Sequence, residues 1–190
     1  SDWPRMTAIQ AKAEGIMFDQ PLSARKTVSW FEGKTPISGE GRAALARAHY
    51  RLGNKDSGNM WLKSAWRESK LTRSRQQKLF REFRGKLTKD DHAARADHLI
   101  WQGRSHHSKA EALLPHMGKR QRALMNARIR VASNRSGMDA AIKAVPADLT
   151  KDAGLLYERA KWRRRKKTKT YALPVYLDIQ TAPVNETGRD

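Results

Sequence analysis

The clearest alternation of apolar and polar positions in this chain runs through residues 87–117. Thr88 can cap a helix there, and Asp91 in the first turn suits the free amides and the positive end of the helix dipole. Gly103 can end that helix, because glycine takes the left-handed cap conformation without steric cost. Between them, small and apolar residues recur at helical spacing. They are Ala93, Ala96, Leu99 and Ile100.

A second, shorter helix is predicted directly after the first. Ser108 and Glu111 form a capping pair at its start, and Pro115 limits how far it runs. Its apolar stripe consists of Ala110, Leu113, Leu114 and Met117. The stretch therefore predicts two short antiparallel helices joined by a tight turn.

Similar helix pairs are predicted along the rest of the chain. Residues 41–52 also open with paired alanines and precede a glycine, and residues 123–132 and 155–164 repeat the pattern about thirty residues apart. One such pair has no core of its own, so it must stack on its neighbours. The sequence therefore predicts an all-α fold, a superhelical solenoid of antiparallel helix pairs of the TPR or HEAT type.

The remaining apolar stripes complete the predicted architecture. They place helices at 7–18, 22–31, 56–67, 74–84, 119–132, 138–145, 153–165 and 170–179. Because no stretch has the period-2 alternation of a strand, residues 1–180 are expected to form a single repeat domain. Residues 181–190 are polar and are expected to be a frayed end. Trp66 and Trp101 lie on apolar stripes and are predicted to be buried anchors between helices, as are Val28, Trp30 and Phe31.

The composition suits a thin, polar and strongly basic protein. Of 190 residues 38% are hydrophobic, the mean hydropathy is −0.82, and no window approaches the ~20 apolar residues that span a membrane. Without cysteine there are no disulfides. The chain carries 39 Lys and Arg against 19 Asp and Glu, a net charge of +20. Such a field attracts polyanions and anionic surfaces, and nucleic acid, acidic lipid and anionic cell-wall polymer all fit it.

The densest basic run is the candidate polymer-binding strip. It consists of Arg163, Arg164, Arg165, Lys166 and Lys167. Two interpretations remain open for it. The strip can be a solvated helix end whose cations interact with the terminal carbonyls, or it can bind an anionic polymer. Trp162 and Tyr171 could stack on sugar rings or bases beside it, although core anchoring is the favoured interpretation for both.

No metal site or cofactor is predicted. The six histidines do not form a recognised set of metal ligands, and the sequence has neither a nucleophile elbow nor a glycine-rich phosphate loop. The histidines are His49, His92, His98, His106, His107 and His116.

Several segments resemble, in family order, the helical region of the soluble lytic murein transglycosylases, in the branch typical of alphaproteobacteria. They are PLSARKTVSW at 21–30, GRAALARAHYRLGN at 41–54, AWRESKLT at 65–72, LTKDDHAARADHLIWQGR at 87–104, ALLP at 112–115 and GLLYERAKWRRR at 154–165. The resemblance covers most of the chain, from about residue 21 to residue 177.

This resemblance implies a periplasmic enzyme that cleaves the glycan strands of peptidoglycan without water and leaves 1,6-anhydromuramoyl ends. In that family a helical superhelix precedes a lysozyme-like catalytic domain, whose downstream motifs this chain lacks. The chain is therefore expected to be a noncatalytic segment that scaffolds the catalytic domain of the same parent chain and guides or holds anionic peptidoglycan. The alternative is a stand-alone basic helical-repeat module that binds nucleic acid or a protein partner.

One dipeptide, Glu68-Ser69, resembles the catalytic pair of that family. A general acid must stay protonated in a partly apolar cleft. The neighbouring cations Arg67 and Lys70 instead favour an ionised carboxylate. We therefore expect no catalytic residue in this chain, and we expect the chain by itself to be inactive on peptidoglycan.

Overall fold

The computed structural model describes residues 5–166, which form helices and their connecting turns without any strand. This confirms the all-α class. Among these residues the α-helices are α1 (Met6–Asp19), α2 (Ala24–Trp30), α3 (Gly39–Arg51), α4 (Lys55–Glu68), α5 (Arg73–Phe83), α6 (Lys89–Trp101), α7 (His107–Glu111), α8 (Lys119–Ser133), α9 (Met138–Lys143) and α10 (Ala153–Arg165). Short 3-10 turns lie at Arg104–His106, Leu114–His116 and Ala147–Leu149. The predicted helix at 170–179 and the predicted frayed end lie outside the described residues.

The chain divides into two compact units, Ser1–Asp91 and His92–Asp190. In the first unit α1, α2 and α4 pack on α3, and in the second α7, α9 and α10 pack on α8. The superhelical stacking of pairs and the single domain over residues 1–180 stay predictions.

In the first unit, α3 is buried along most of its length because its sequence is rich in alanine. Small side chains let α1, α2 and α4 approach closely, and Ala43, Ala46 and Ala65 are fully inaccessible to solvent. Gly58 of α4 lies against the ring of Tyr50, where an added Cβ would stand 2.9 Å from ring carbons. The alanine pattern thus specifies a tight helix contact rather than a wide core.

The start of α3 is held by a buried carboxylate from α1. Glu14 accepts hydrogen bonds from the backbone amides of Ile37 (3.0 Å) and Ser38 (2.7 Å), and also from the Ser38 hydroxyl. The Ser38 hydroxyl in turn accepts from the Gly41 amide at 3.0 Å. A side chain at position 41 would overlap the Glu14 carboxylate. Amides that would otherwise lack partners at a helix N-terminus are satisfied in this way.

Of the anchors predicted for the first unit, Trp66 and Phe31 are confirmed as buried. Trp66 is fully buried, and its ring lies 6.0 Å from that of Phe80, centroid to centroid. Phe31 is buried with Met17, Ala44 and Leu45. Val28 and Trp30 are partly buried against the same cluster.

The cap predicted at the start of α6 is also confirmed. Both the amide and the hydroxyl of Thr88 donate to Asp91 Oδ2 at 2.8 Å, and the Asp91 amide donates back to the hydroxyl at 3.2 Å. Arg67 Nε adds a hydrogen bond of 2.8 Å to Asp91 Oδ1. Burial alone would raise the pKa of Asp91, but the hydrogen bonds from Thr88 and Arg67 outweigh it, so the pKa lies below its ordinary value.

The prediction for the end of α6 needs one correction. Gly103 does have a positive φ, of 98°, but its ψ is −177°. This is an extended conformation essentially restricted to glycine, and not the left-handed cap conformation that was predicted. The glycine is still what allows the chain to leave the helix there.

The prediction of a second helix after Gly103 is wrong in the length of the helix and in the residue that caps it. Helix α7 has only five residues, its start at His106 has no side-chain cap, and Ser108 lies inside it. The segment continues as a 3-10 turn, Leu114–His116, that contains Pro115 near its start. Proline has no amide hydrogen to donate, so the regular α-helical ladder cannot run through it.

Trp101 does not fill the buried position predicted for it. Its side chain is 37% exposed at the last residue of α6. Helical spacing puts Trp101 on the apolar stripe, but α6 ends at this residue. Neighbouring side chains therefore cover the Trp101 ring only partly.

Candidate functional site

The basic end of α10 was the predicted polymer-binding strip, and the structure divides it. Arg164 and Lys166 are exposed, whereas Arg163 is half-buried. Arg165 Nη2 donates to the carbonyl oxygen of Ala132 at 3.3 Å, in the last turn of α8. Lys167 lies outside the described residues. The strip therefore combines cations that face solvent with one that also contacts the end of α8, and both interpretations stay open.

Trp162 is an anchor beside this strip. It is half-buried, and its indole Nε1 donates to the side-chain oxygen of Asn134 at 2.7 Å. Asn134 ends α8 in a left-handed conformation, with φ 53°. The ring therefore ties α10 to the end of α8. Tyr171 lies outside the described residues.

The cations of α10 extend beyond the predicted strip. Tyr157, Lys161 and Arg164 follow one another at spacings of four and three residues, so they share one face of the helix. The Lys161 ammonium lies 5.3 Å from the centre of the Tyr157 ring, a cation–π contact. We call these three residues, together with Lys166, the α10 cationic face; Lys166 follows the helix as its C-cap and does not share the stripe of the other three.

An exposed aromatic pair adjoins this face. Tyr157 is 39% exposed, and its ring centre lies 5.1 Å from that of Trp101 with the planes tilted by 40°. The guanidinium carbon of Arg128 lies 5.5 Å from the centre of the Trp101 ring. A ring from α6 therefore contacts a ring from α10 and an arginine from α8.

Arg128 is buried, and its charge is balanced by acidic residues. Only 2% of its side chain is accessible. It makes an ion pair with Asp97 and a second contact of 3.7 Å with Asp152 Oδ1. Gly154 makes room for it, since any side chain there would overlap the guanidinium. A buried charge needs such partners, because desolvation is otherwise very costly.

Glu158 is a buried acid in the same unit. It is 4% exposed, and its Oε2 has no hydrogen-bond partner. Burial raises the pKa of Glu158, while the charges of Lys161, Arg128 and Arg165 oppose that rise. A raised pKa suits a general acid, but burial keeps a glycosidic oxygen away from this carboxyl.

The Glu68-Ser69 pair lies elsewhere, at the end of α4. Glu68 is exposed, and its neighbour Arg67 reaches Asp91 instead. Ser69 is buried; its hydroxyl donates to the Ser64 carbonyl at 3.4 Å and packs on the backbone at Gly39. The serine has a packing role, and the glutamate faces solvent at a helix end.

Several of the histidines have structural contacts. His107 is buried with Nδ1 2.9 Å from the Ser133 hydroxyl, and burial, then the charges of Arg135, Arg104 and Lys161, lower its pKa. The rings of His92 and His116 stand 5.4 Å apart. Within residues 5–166, no group of three or more histidine and acidic side chains could hold a metal ion.

A second basic feature is a cleft of about 500 Å³ at the start of α8. Its lining combines apolar and cationic side chains: Leu114, Lys119, Arg122, Ala123 and Asn126. Arg122 Nη2 also donates to the Met117 carbonyl at 3.3 Å.

Ion pairs engage much of the acidic charge of the described residues. The carboxylates contact mainly arginines, in the pairs Arg47–Glu82, Arg67–Asp91, Arg75–Asp19, Arg75–Glu40, Arg120–Asp148, Arg128–Asp97 and Arg135–Glu111. Side chains such as Arg164 and Lys166, which face solvent, contribute to the excess positive charge of the chain.

Comparison of the chain with protein-family models, with curated proteins and with solved structures gave no match. None of the helices in the part of the chain that the structure describes has the length and apolar character needed to cross a membrane.

Proposed function

We propose that this chain binds an anionic polymer through the α10 cationic face, and that the polymer is peptidoglycan. The observation that carries the proposal is the last turn of α10, which contains three arginines and is followed by exposed Lys166. Cations at a helix C-terminus interact favourably with the carbonyls there, which favours their accumulation. An extended anionic chain supplies the opposite charge.

The choice of peptidoglycan rests on the resemblance of the ordered segments to lytic murein transglycosylases. Under this proposal the chain is a noncatalytic helical segment in the periplasm. It scaffolds a catalytic domain of the same parent chain and guides or holds its substrate. The exposed position of Glu68 and the burial of Glu158 agree with a noncatalytic role.

Binding to purified peptidoglycan sacculi tests the proposal directly. Arg165 contacts Ala132, so neutralising the whole strip would mix binding with packing. The sharper variant is Arg164→Gln with Lys166→Gln, because both side chains are exposed. A matched control is Arg25→Gln with Lys26→Gln. It removes the same charge from two exposed positions in the first turn of α2.

We expect the α10 variant to lose most of its cosedimentation with sacculi at low salt, and the α2 control to lose little. Binding of the unaltered chain should fall as salt rises, because the Debye length shrinks to ~3 Å at 1 M. Equal losses in both variants would mean that net charge alone matters. Retained binding by the α10 variant would identify the strip as a solvated helix end.

Nucleic acid is the second candidate, favoured by the combination of excess positive charge with exposed aromatic rings. A nucleic-acid module should bind duplex or single-stranded DNA more tightly than sacculi at physiological salt. Its affinity should fall linearly with salt on logarithmic axes, as released counterions require.

A further inference from the structure

We propose that Trp101 and Tyr157 form a platform for one sugar ring of the bound polymer. This rests on the proposed function, because the platform adjoins the α10 cationic face. Both side chains are more than a third exposed, and their ring centres lie 5.1 Å apart. Single exposed apolar residues are common, whereas two large aromatic rings in contact at the surface form a continuous apolar patch.

The underside of the platform is rigid. Arg128 lies against Trp101 and is itself held by Asp97 and Asp152 in a nearly inaccessible position. Trp101 ends α6 and Tyr157 lies in α10, so both rings are carried by helices. Rings fixed in this way lose little conformational freedom when a ligand arrives, which favours binding.

The geometry favours a sugar over a nucleobase. A flat base can lie parallel to only one of two rings tilted by 40°. A pyranose presents apolar C–H groups in several directions and can contact both rings. Asp97 and Asp152, which hold Arg128, are carboxylates, and carboxylate oxygens can accept hydrogen bonds from sugar hydroxyl groups.

The cations on α10 indicate that the expected ligand also carries acidic groups. Lys161 and Arg164 lie one and two turns beyond Tyr157 on the same helix face, about 6 and 10 Å along the axis. A polymer whose sugar rests on the platform would bring acidic groups to these cations. The ligand class is therefore a glycan that carries carboxylates.

The test separates the rings from the charges by using three probes with the full 190-residue chain. A soluble oligomer of N-acetylglucosamine has rings without charge, polyglutamate has charge without rings, and oligo-dT has charge with bases. The ring variants are Trp101→Leu and Tyr157→Leu, with Tyr157→Phe as a control that keeps the ring. Arg164→Gln with Lys166→Gln is the charge variant, and circular dichroism verifies that each is folded.

We expect the unaltered chain and Tyr157→Phe to bind the sugar oligomer, and each leucine variant to lose at least tenfold in affinity. Polyglutamate binding should be unaffected by the leucine substitutions and reduced by the charge variant. Sugar binding that survives both leucine substitutions, or no sugar binding by the folded, unaltered chain, would overturn the platform. Oligo-dT binding that depends on Trp101 and exceeds sugar binding would assign the platform to bases and overturn the proposal.

The two proposals fail in different ways. If sacculi bind through Arg164 and Lys166 but the sugar oligomer does not bind, the platform is wrong and the proposed function stands. If the sugar oligomer binds through Trp101 but sacculi do not bind, the platform stands and the choice of peptidoglycan is wrong.

Discussion

Replacing Asp91 by asparagine tests how far one buried carboxylate stabilises the first unit. The substitution keeps the size of the side chain but removes the charge that Arg67 and Thr88 contact. Loss of a helix cap costs about 0.5–2 kcal/mol, and a hydrogen bond to a charged group contributes about 1.5–3 kcal/mol. Arg67 is about one-third exposed, so water can solvate it once the partner is gone. We therefore expect a loss of about 2–4 kcal/mol.

The pH dependence of this loss checks its cause. Because the folded pKa of Asp91 is depressed, its contribution is present above the ordinary aspartate pKa and is lost as pH falls through the folded value. Urea unfolding of the variant and the unaltered chain should differ equally at pH 7 and pH 5, and the difference should shrink below about pH 4. A difference below ~1 kcal/mol at pH 7, or one independent of pH, would refute the reasoning.

Three further outcomes are expected. Trp66→Ala should cost roughly 3–5 kcal/mol in urea unfolding, and Trp101→Ala clearly less because of its exposure. Gly154→Ala should cost about 1–3 kcal/mol because the added methyl overlaps the buried arginine side chain, whereas Gly85→Ala, with open space around it, should change little. The chain incubated with murein sacculi should release no 1,6-anhydromuropeptides by mass spectrometry, and Glu68→Gln should leave the activity of a longer active parent intact.

The sequence predicted the long helices well because their signals are local. The observed α10, Ala153–Arg165, matches the prediction residue for residue, with Asp152 accepting from the Leu155 amide as its cap. Periodicity failed where proline and short length broke the helix, as at α7. In that segment turn geometry, rather than an apolar stripe, decides the conformation.

The candidate site was only partly predictable. The spacing of Tyr157, Lys161 and Arg164 is visible in the sequence, so the cationic face could have been extended from it. The burial of Arg128 and the exposure of Trp101 could not be predicted from the sequence, because both depend on which helices lie beside these residues. A basic residue on a helix is predicted to be exposed unless its acidic partners are known. The partners of Arg128 are distant in sequence.

The buried Glu14 carboxylate has a consequence for local motions of the first unit. The amides of Ile37 and Ser38 precede α3, yet they donate to a side chain of α1. Their hydrogens can exchange with solvent only when these bonds to Glu14 open. We therefore expect these two amides to exchange with deuterium more slowly than a loop position normally does. They should exchange faster in Glu14→Ala, since the carboxylate that accepts their hydrogen bonds is then absent.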